Sequence, residues 1–100
     1  MIVLAGTITI DPAQVAAFET AVADMVDRVR KEDGCHHYSL LAEDRAAGLI
    51  NVTEIWEDEP ALRVHLAQPW IAEFYARFAP HMQAMNVPIY DVAGVRDLEL

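Results

Sequence analysis

Residues 33–38 read Asp-Gly-Cys-His-His-Tyr, and the fold turns on how that run divides. Gly34 can take the left-handed backbone that ends a helix, and Arg28, Arg30 and Lys31 lie just before it, where they complement a helix C-terminal dipole. The chain ahead of Gly34 is therefore read as helix and the chain from Cys35 onward as strand. Working upstream, Asp11 precedes Pro12 and lies three residues before Gln14, so an N-cap carboxylate, a first-turn proline and a capping-box amide predict a helix running to about Glu32. Val15, Phe18, Val22, Met25 and Val29 fall at steps of three and four and give it one apolar stripe. Ahead of it, Ile2–Ile10 alternates Ile2, Leu4, Ile8 and Ile10 with Val3, Ala5, Thr7 and Thr9, the period of a strand with both faces at least partly covered.

Downstream, Cys35–Glu43 and Leu49–Glu57 read as two antiparallel strands joined by Asp44-Arg45-Ala46-Ala47-Gly48, a loop of hairpin length. Asp58 can cap a second helical region in which Leu62, His65 and Leu66 share a face. Pro69 interrupts it, and Trp70, Ile71, Phe74, Tyr75 and Phe78 resume the helical period up to Pro80, predicting a two-part helix with an aromatic stripe. The segment Val87–Val95, with Pro88 near its start, reads as the last strand. The resulting order is that of an α+β, ferredoxin-like βαββαβ domain spanning residues 1–100, with a four-stranded antiparallel sheet carrying both helices on one face.

The other sheet face needs a cover, because strands one to three carry apolar residues on both sides. A composition 54% hydrophobic and 23% charged agrees, and a homodimer with sheets packed face to face is expected. Sixteen Asp and Glu against seven Lys and Arg give a formal net charge of −9, which repels phosphate backbones and anionic lipid, so neither nucleic acid nor membrane is an expected partner. Glu19, Asp24, Asp27, Glu32 and Asp33, interleaved with basic residues, read as a solvated helix face. A single cysteine excludes an internal disulfide, no signal peptide is recognised, and no apolar stretch approaches the roughly 18 residues of a membrane span, so a cytoplasmic location is expected.

Strand parity places Cys35, His37 and Ser39 on one face and His36, Tyr38 and Leu40 on the other. The adjacent histidines then cannot share a site, and they lack the spacing of a metal motif. Cys35 reads as a small buried apolar side chain rather than a nucleophile. In the next strand Ile50, Val52, Glu54 and Trp56 share one face, with Asn51 and Thr53 on the other. Glu54 breaks an apolar side, and a structural ion pair with Arg63, Arg77 or Arg96 is favoured over catalysis. His65 stands among apolar neighbours on the sheet-facing side of its helix. There it is either a core histidine with one hydrogen bond or a neutral imidazole able to accept a proton from a bound phenol. Trp56, Trp70, Phe74, Tyr75 and Phe78 offer flat surface that suits a hydrophobic core or an aromatic ligand, with Tyr75, His65 and Asn51 near to orient it.

Asp33-Gly34-Cys35-x-x-Tyr38, Glu54-x-Trp56 and Ala61-Leu62-x-x-His65 together resemble the antibiotic biosynthesis monooxygenase (ABM) family, and the resemblance spans nearly the whole chain. It implies a dimeric α+β barrel of ferredoxin-like subunits and, as in the best-understood members, oxidation of quinols or anthrone-type polyketides by molecular oxygen without metal, flavin or haem. On that resemblance His65 is the catalytic base or hydrogen-bond partner. Trp56, Trp70 and Phe74 wall the ring system, and Asn51 or Tyr38 holds a carbonyl or developing oxyanion, with Tyr75 at the same site. Asn51 departs from the pattern, since it lies five residues before Trp56 and so on the opposite strand face unless a bulge intervenes. Haem-degrading and isomerase relatives share the fold. The position of the former's iron-ligating histidine falls at Tyr75, and no basic cluster is present for the phosphate handled by the latter. A non-catalytic dimeric module binding a small aromatic ligand is the alternative from a different functional class.

Overall fold

The computed structural model describes residues 1–100. Strand β1 (Ile2–Ile10) leads into helix α1 (Val15–Arg30), followed by β2 (Cys35–Asp44), β3 (Leu49–Trp56), α2 (Glu59–Leu66), α3 (Pro69–Phe78), β4 (Met82–Asn86) and β5 (Ile89–Asp91). The sheet runs β2-β3-β1-β4, with every pairing antiparallel and β5 also on β1. This is the split βαβ order of a ferredoxin-like α+β fold. No helix is long and apolar enough to cross a membrane.

Local chemistry accounts for most boundaries. Asp11 does cap, accepting from Ala13 N at 3.0 Å, but what it caps is a 3₁₀ turn at Pro12–Gln14; the α-helix begins at Val15, and Gln14 makes no capping hydrogen bond. All five stripe residues, from Val15 to Val29, are buried. The helix ends at Arg30, two residues before the expected Glu32, and Gly34 supplies the turn with φ of +81°. Asp58 caps α2 through Ala61 N at 2.9 Å, and Pro69 opens α3 after the expected break.

The closing strand differs from expectation. Met82–Asn86 pairs with Thr7–Ile10 of β1, and the short β5 pairs with Ile2–Leu4, so two strands share one edge of β1 and the sheet has five. Val87-Pro88 separates them, because proline has no N–H for the ladder, and residues 92–95 form no strand. The open edge of β1 takes the backbone that lies alongside it, Met82–Asn86 at one end and Ile89–Asp91 at the other.

Bulges at His36 and Glu43 shift the β2–β3 register. The first places Cys35 opposite Trp56 rather than on the His37 face, overturning the simple parity, and Cys35 packs against the core. His36 and His37 are exposed, and His36 pairs with Glu57 at 2.6 Å. The helix-covered face buries Ile2, Leu4, Ile8, Ile10, Tyr38, Leu40, Ile50, Val52, Glu54 and Trp56 in one core with the helical stripes. On the reverse face Val3, Ala5, Asn51 and Ile55 are half-buried and Leu41 is 66% exposed.

Candidate functional site

Strand β3 and helix α2 bring together the residues on which the site depends. The Trp56 and His65 rings lie 4.8 Å apart at 35°, with Tyr38 5.5 Å and Trp70 6.4 Å from the imidazole. His65 and Trp56 are both fully buried. The imidazole is not surrounded by apolar groups alone: its Nδ1 lies 2.6 Å from Glu32 Oε2, while its Nε2 is buried without a partner.

Beside this cluster a cavity of about 380 Å³ separates the sheet from α2 and α3. Twelve of its fourteen lining residues are hydrophobic, and the two exceptions are Glu54 and Arg63. Leu4, Leu40 and Val52 form its floor, Leu62, Leu66 and Tyr75 its helical wall, and Met82, Met85 and Ile89 its edge. Its size falls toward the lower end of the roughly 300–1,000 Å³ typical of small-molecule pockets, enough for a fused-ring molecule of modest size. Neither Trp56 nor His65 lines it; Glu54 connects them to it, since Trp56 Nε1 donates to Glu54 Oε1 at 3.0 Å.

Glu54 makes no ion pair, contrary to the sequence expectation. Arg63 at the cavity rim reaches Glu59 at 3.3 Å, and Arg77 lies over the Phe78 ring. The β3 alternation turns Glu54 into the protein, and it is 4% exposed. Burial raises its pKa above the usual carboxylate range, opposed by the Trp56 hydrogen bond and then by the nearby His65 side chain. Burial likewise pushes the Tyr75 and Tyr38 phenols up, reinforced at Tyr75 by Glu54 and at Tyr38 first by Tyr75, so both remain O–H groups at neutral pH. The Tyr38 hydroxyl is buried with no partner, and Tyr38 stands directly opposite Glu54 in the β2–β3 ladder. At one side of a cavity whose remaining lining is apolar except for Arg63 at the rim stand the Glu54 carboxyl and the Tyr75 phenol, with the Tyr38 phenol, the Trp56 indole and the His65 imidazole packed behind them. Such an arrangement can bind a flat apolar molecule by its rings and orient its oxygen atoms.

The structure brings Tyr38, Tyr75, Trp56 and His65 to this cluster, sets the Trp70 ring at its margin, edge-on to His65, and leaves Asn51 and Phe74 elsewhere. Asn51 pairs with Thr7 and Leu41 on the reverse face, because the bulges lie near the ends of β2 and leave the β3 alternation intact. Trp70 and Phe74 turn toward α1 instead of the cavity: the Arg28 guanidinium lies 4.2 Å over the Trp70 ring, and Phe74 packs on Phe18 at 5.3 Å. Glu32, read as part of a solvated face, was missed. The helix stops short of it, and the bend that follows directs its carboxylate at α2. Glu54 carried a visible signal, a lone charge on an apolar strand face; Met82 and Met85 carried none, since they lie on the strand whose position was misread.

Comparison with known proteins places this geometry in a family. A protein from Caulobacter crescentus, provisionally named an antibiotic biosynthesis monooxygenase, superposes with a TM-score of 0.81 at 25% identity, covering 93% of this chain and 90% of that one. A Deinococcus radiodurans structure with the same provisional name gives a TM-score of 0.82 over 99% of both chains, at 22% identity a likeness of fold alone. In sequence, an uncharacterized Synechocystis protein is 27% identical over 99 residues, 97% of this chain and 67% of that protein. The profile of the family described as Antibiotic biosynthesis monooxygenase matches residues 1–86, a span that holds Glu32, Tyr38, Glu54, Trp56, His65 and Tyr75. With fold and sequence in agreement over most of its length, the chain belongs to the antibiotic biosynthesis monooxygenase family.

Proposed function

We propose that the protein is a cofactor-independent monooxygenase that oxidises a small fused-ring quinol, or a phenol of the anthrone type, with molecular oxygen. The observation that carries this reading is the apolar cavity lined at one side by the buried Glu54 and the half-buried Tyr75, with Trp56 and His65 behind them. The ring system enters the apolar space, and its oxygen atoms meet Glu54 and Tyr75. Glu54, backed by His65, forms the proton-accepting end, and the neutral phenol of Tyr75 donates to the developing oxyanion. The deprotonated, electron-rich substrate reduces O₂. For an anthrone the methylene carbon becomes a carbonyl, one oxygen atom entering the product and the other leaving as water. Desolvation by the leucine and methionine walls concentrates the electrostatic effect of these few polar groups.

The active form is proposed to be a homodimer through the reverse sheet face, where Val3, Ile55 and Leu41 offer apolar surface. Oxygen uptake with reduced menadione and with anthrone, in the presence of a chelator, tests the reaction. Wild type should turn over at least one of them, and His65→Ala and Glu54→Gln should each lower kcat by about a hundredfold. Equal uptake by wild type and both variants overturns the reading. Saturable binding of the oxidised quinone without any uptake would instead identify a binding module.

A further inference from the structure

Glu32 lies two residues beyond the end of α1, and its side chain is 14% exposed, while Lys31 and Asp33 on either side face solvent. It reaches across to α2, where its Oε2 lies 2.6 Å from Nδ1 of the fully buried His65. An ionised carboxylate has only acceptors to offer, so the imidazole must donate from Nδ1. A neutral imidazole carries one ring proton, and Nε2 is then the bare nitrogen. Nε2 is enclosed without a hydrogen-bond partner, so no acceptor beside it competes with Glu32 for the ring proton. A histidine side chain left to itself prefers the opposite form, with the proton on Nε2.

We propose that Glu32 is a positioning residue that fixes His65 in its Nδ1–H tautomer and so leaves Nε2 free to take a proton from the Glu54 side of the site. The role of Nε2 in turnover rests on the monooxygenase reading above; the tautomer does not. Glu32 touches no substrate and acts only through the imidazole. Its second oxygen, Oε1, is also buried and unpartnered, so the hydrogen bond to His65 is the only one this carboxylate makes.

Nitrogen-15 NMR of the substrate-free protein tests the assignment directly. Wild type should show a protonated Nδ1 and a bare Nε2 at His65. Glu32→Met, similar in length but without an acceptor, should shift the proton to Nε2 and lower kcat for reduced menadione by about a hundredfold with little change in KM. Glu32→Gln, whose amide oxygen can still accept from Nδ1–H, should keep the wild-type tautomer and recover most of the lost rate. A wild-type spectrum with the proton on Nε2 overturns the proposal, as does Nδ1–H surviving in Glu32→Met. Should Glu32→Met fail to fold, the wild-type and Glu32→Gln spectra still decide the matter. Uptake equal to wild type in both His65→Ala and Glu54→Gln would sink the monooxygenase reading and leave the tautomer to be judged on the spectra alone.

Discussion

Replacing Trp56 by Phe isolates the interaction that ties the aromatic cluster to the cavity. The substitution keeps a ring beside His65 and deletes the indole N–H that donates to Glu54 Oε1 at 3.0 Å, the one hydrogen bond found for that buried carboxyl. Two costs follow, of different character. Lost packing volume is independent of pH, whereas the lost hydrogen bond depends on the charge of its acceptor: roughly 0.5–1.5 kcal/mol for a neutral one and 1.5–3 for an ionised one. Burial raises the folded-state pKa of Glu54 above its unfolded value. Its contribution to stability is therefore most favourable below the unfolded pKa and is lost as pH rises through the folded one, with the indole offsetting part of the loss. The penalty of Trp56→Phe should accordingly widen by about 1 kcal/mol between roughly pH 4 and pH 9, near 4–8 °C in Tm for a domain of this size. Urea melts of both proteins across that range measure the difference, in which the other titrating groups cancel, and a Glu54→Gln background should abolish the widening. A penalty flat with pH to within about 0.3 kcal/mol, or a widening that survives in Glu54→Gln, would refute the assignment of that hydrogen bond.

Other consequences are direct. Ala79 is exposed at the rim of the cavity, so Ala79→Trp should cover the opening and lower kcat/KM for reduced menadione at least about tenfold while shifting Tm by little, read by oxygen uptake and thermal melts. Phe18 is 1% exposed and packs on Phe74 and Phe78 with ring centroids 5.3 and 5.2 Å away, so Phe18→Ala should cost about 3–5 kcal/mol in urea melts. Gly48 has φ of +69°, and a Cβ there would collide with the Ile10 carbonyl; Gly48→Ala should cost more than about 1 kcal/mol, seen as a lowered Tm.

The parts of the fold that could be read in the sequence were those whose signals are local. The alternation of Ile2–Ile10, the stripe from Val15 to Val29, the stop at Gly34 and the break at Pro69 each depend on residues a few positions apart, and each lies where expected to within two residues. The closing strand was not local: Met82–Asn86 becomes a strand because β1 offers it an open edge, which no property of those five residues announces. The site divides in the same way. His65 and Trp56 stood out by type and spacing, and their contact follows from α2 packing over β3. The inward turn of Trp70 and Phe74 toward α1, and of Glu32 toward α2, is set by how the helices rotate against one another, to which a periodic stripe is nearly blind. Glu54 was visible but misread, because an arginine is available in the sequence while an indole two residues away is the nearer partner in space.

Gly34 has one more consequence. A Cβ built on it would lie 2.8 Å from the Ala61 methyl, so the turn after α1 and the first turn of α2 touch where neither carries more than one carbon of side chain. That pair acts as a gauge block: it sets how closely the two helical ends approach, and with it the span Glu32 must bridge to reach the imidazole. A single methyl added at residue 34 would lever α2 outward and lengthen the contact between Glu32 and His65, through a substitution that touches neither the carboxylate nor the ring.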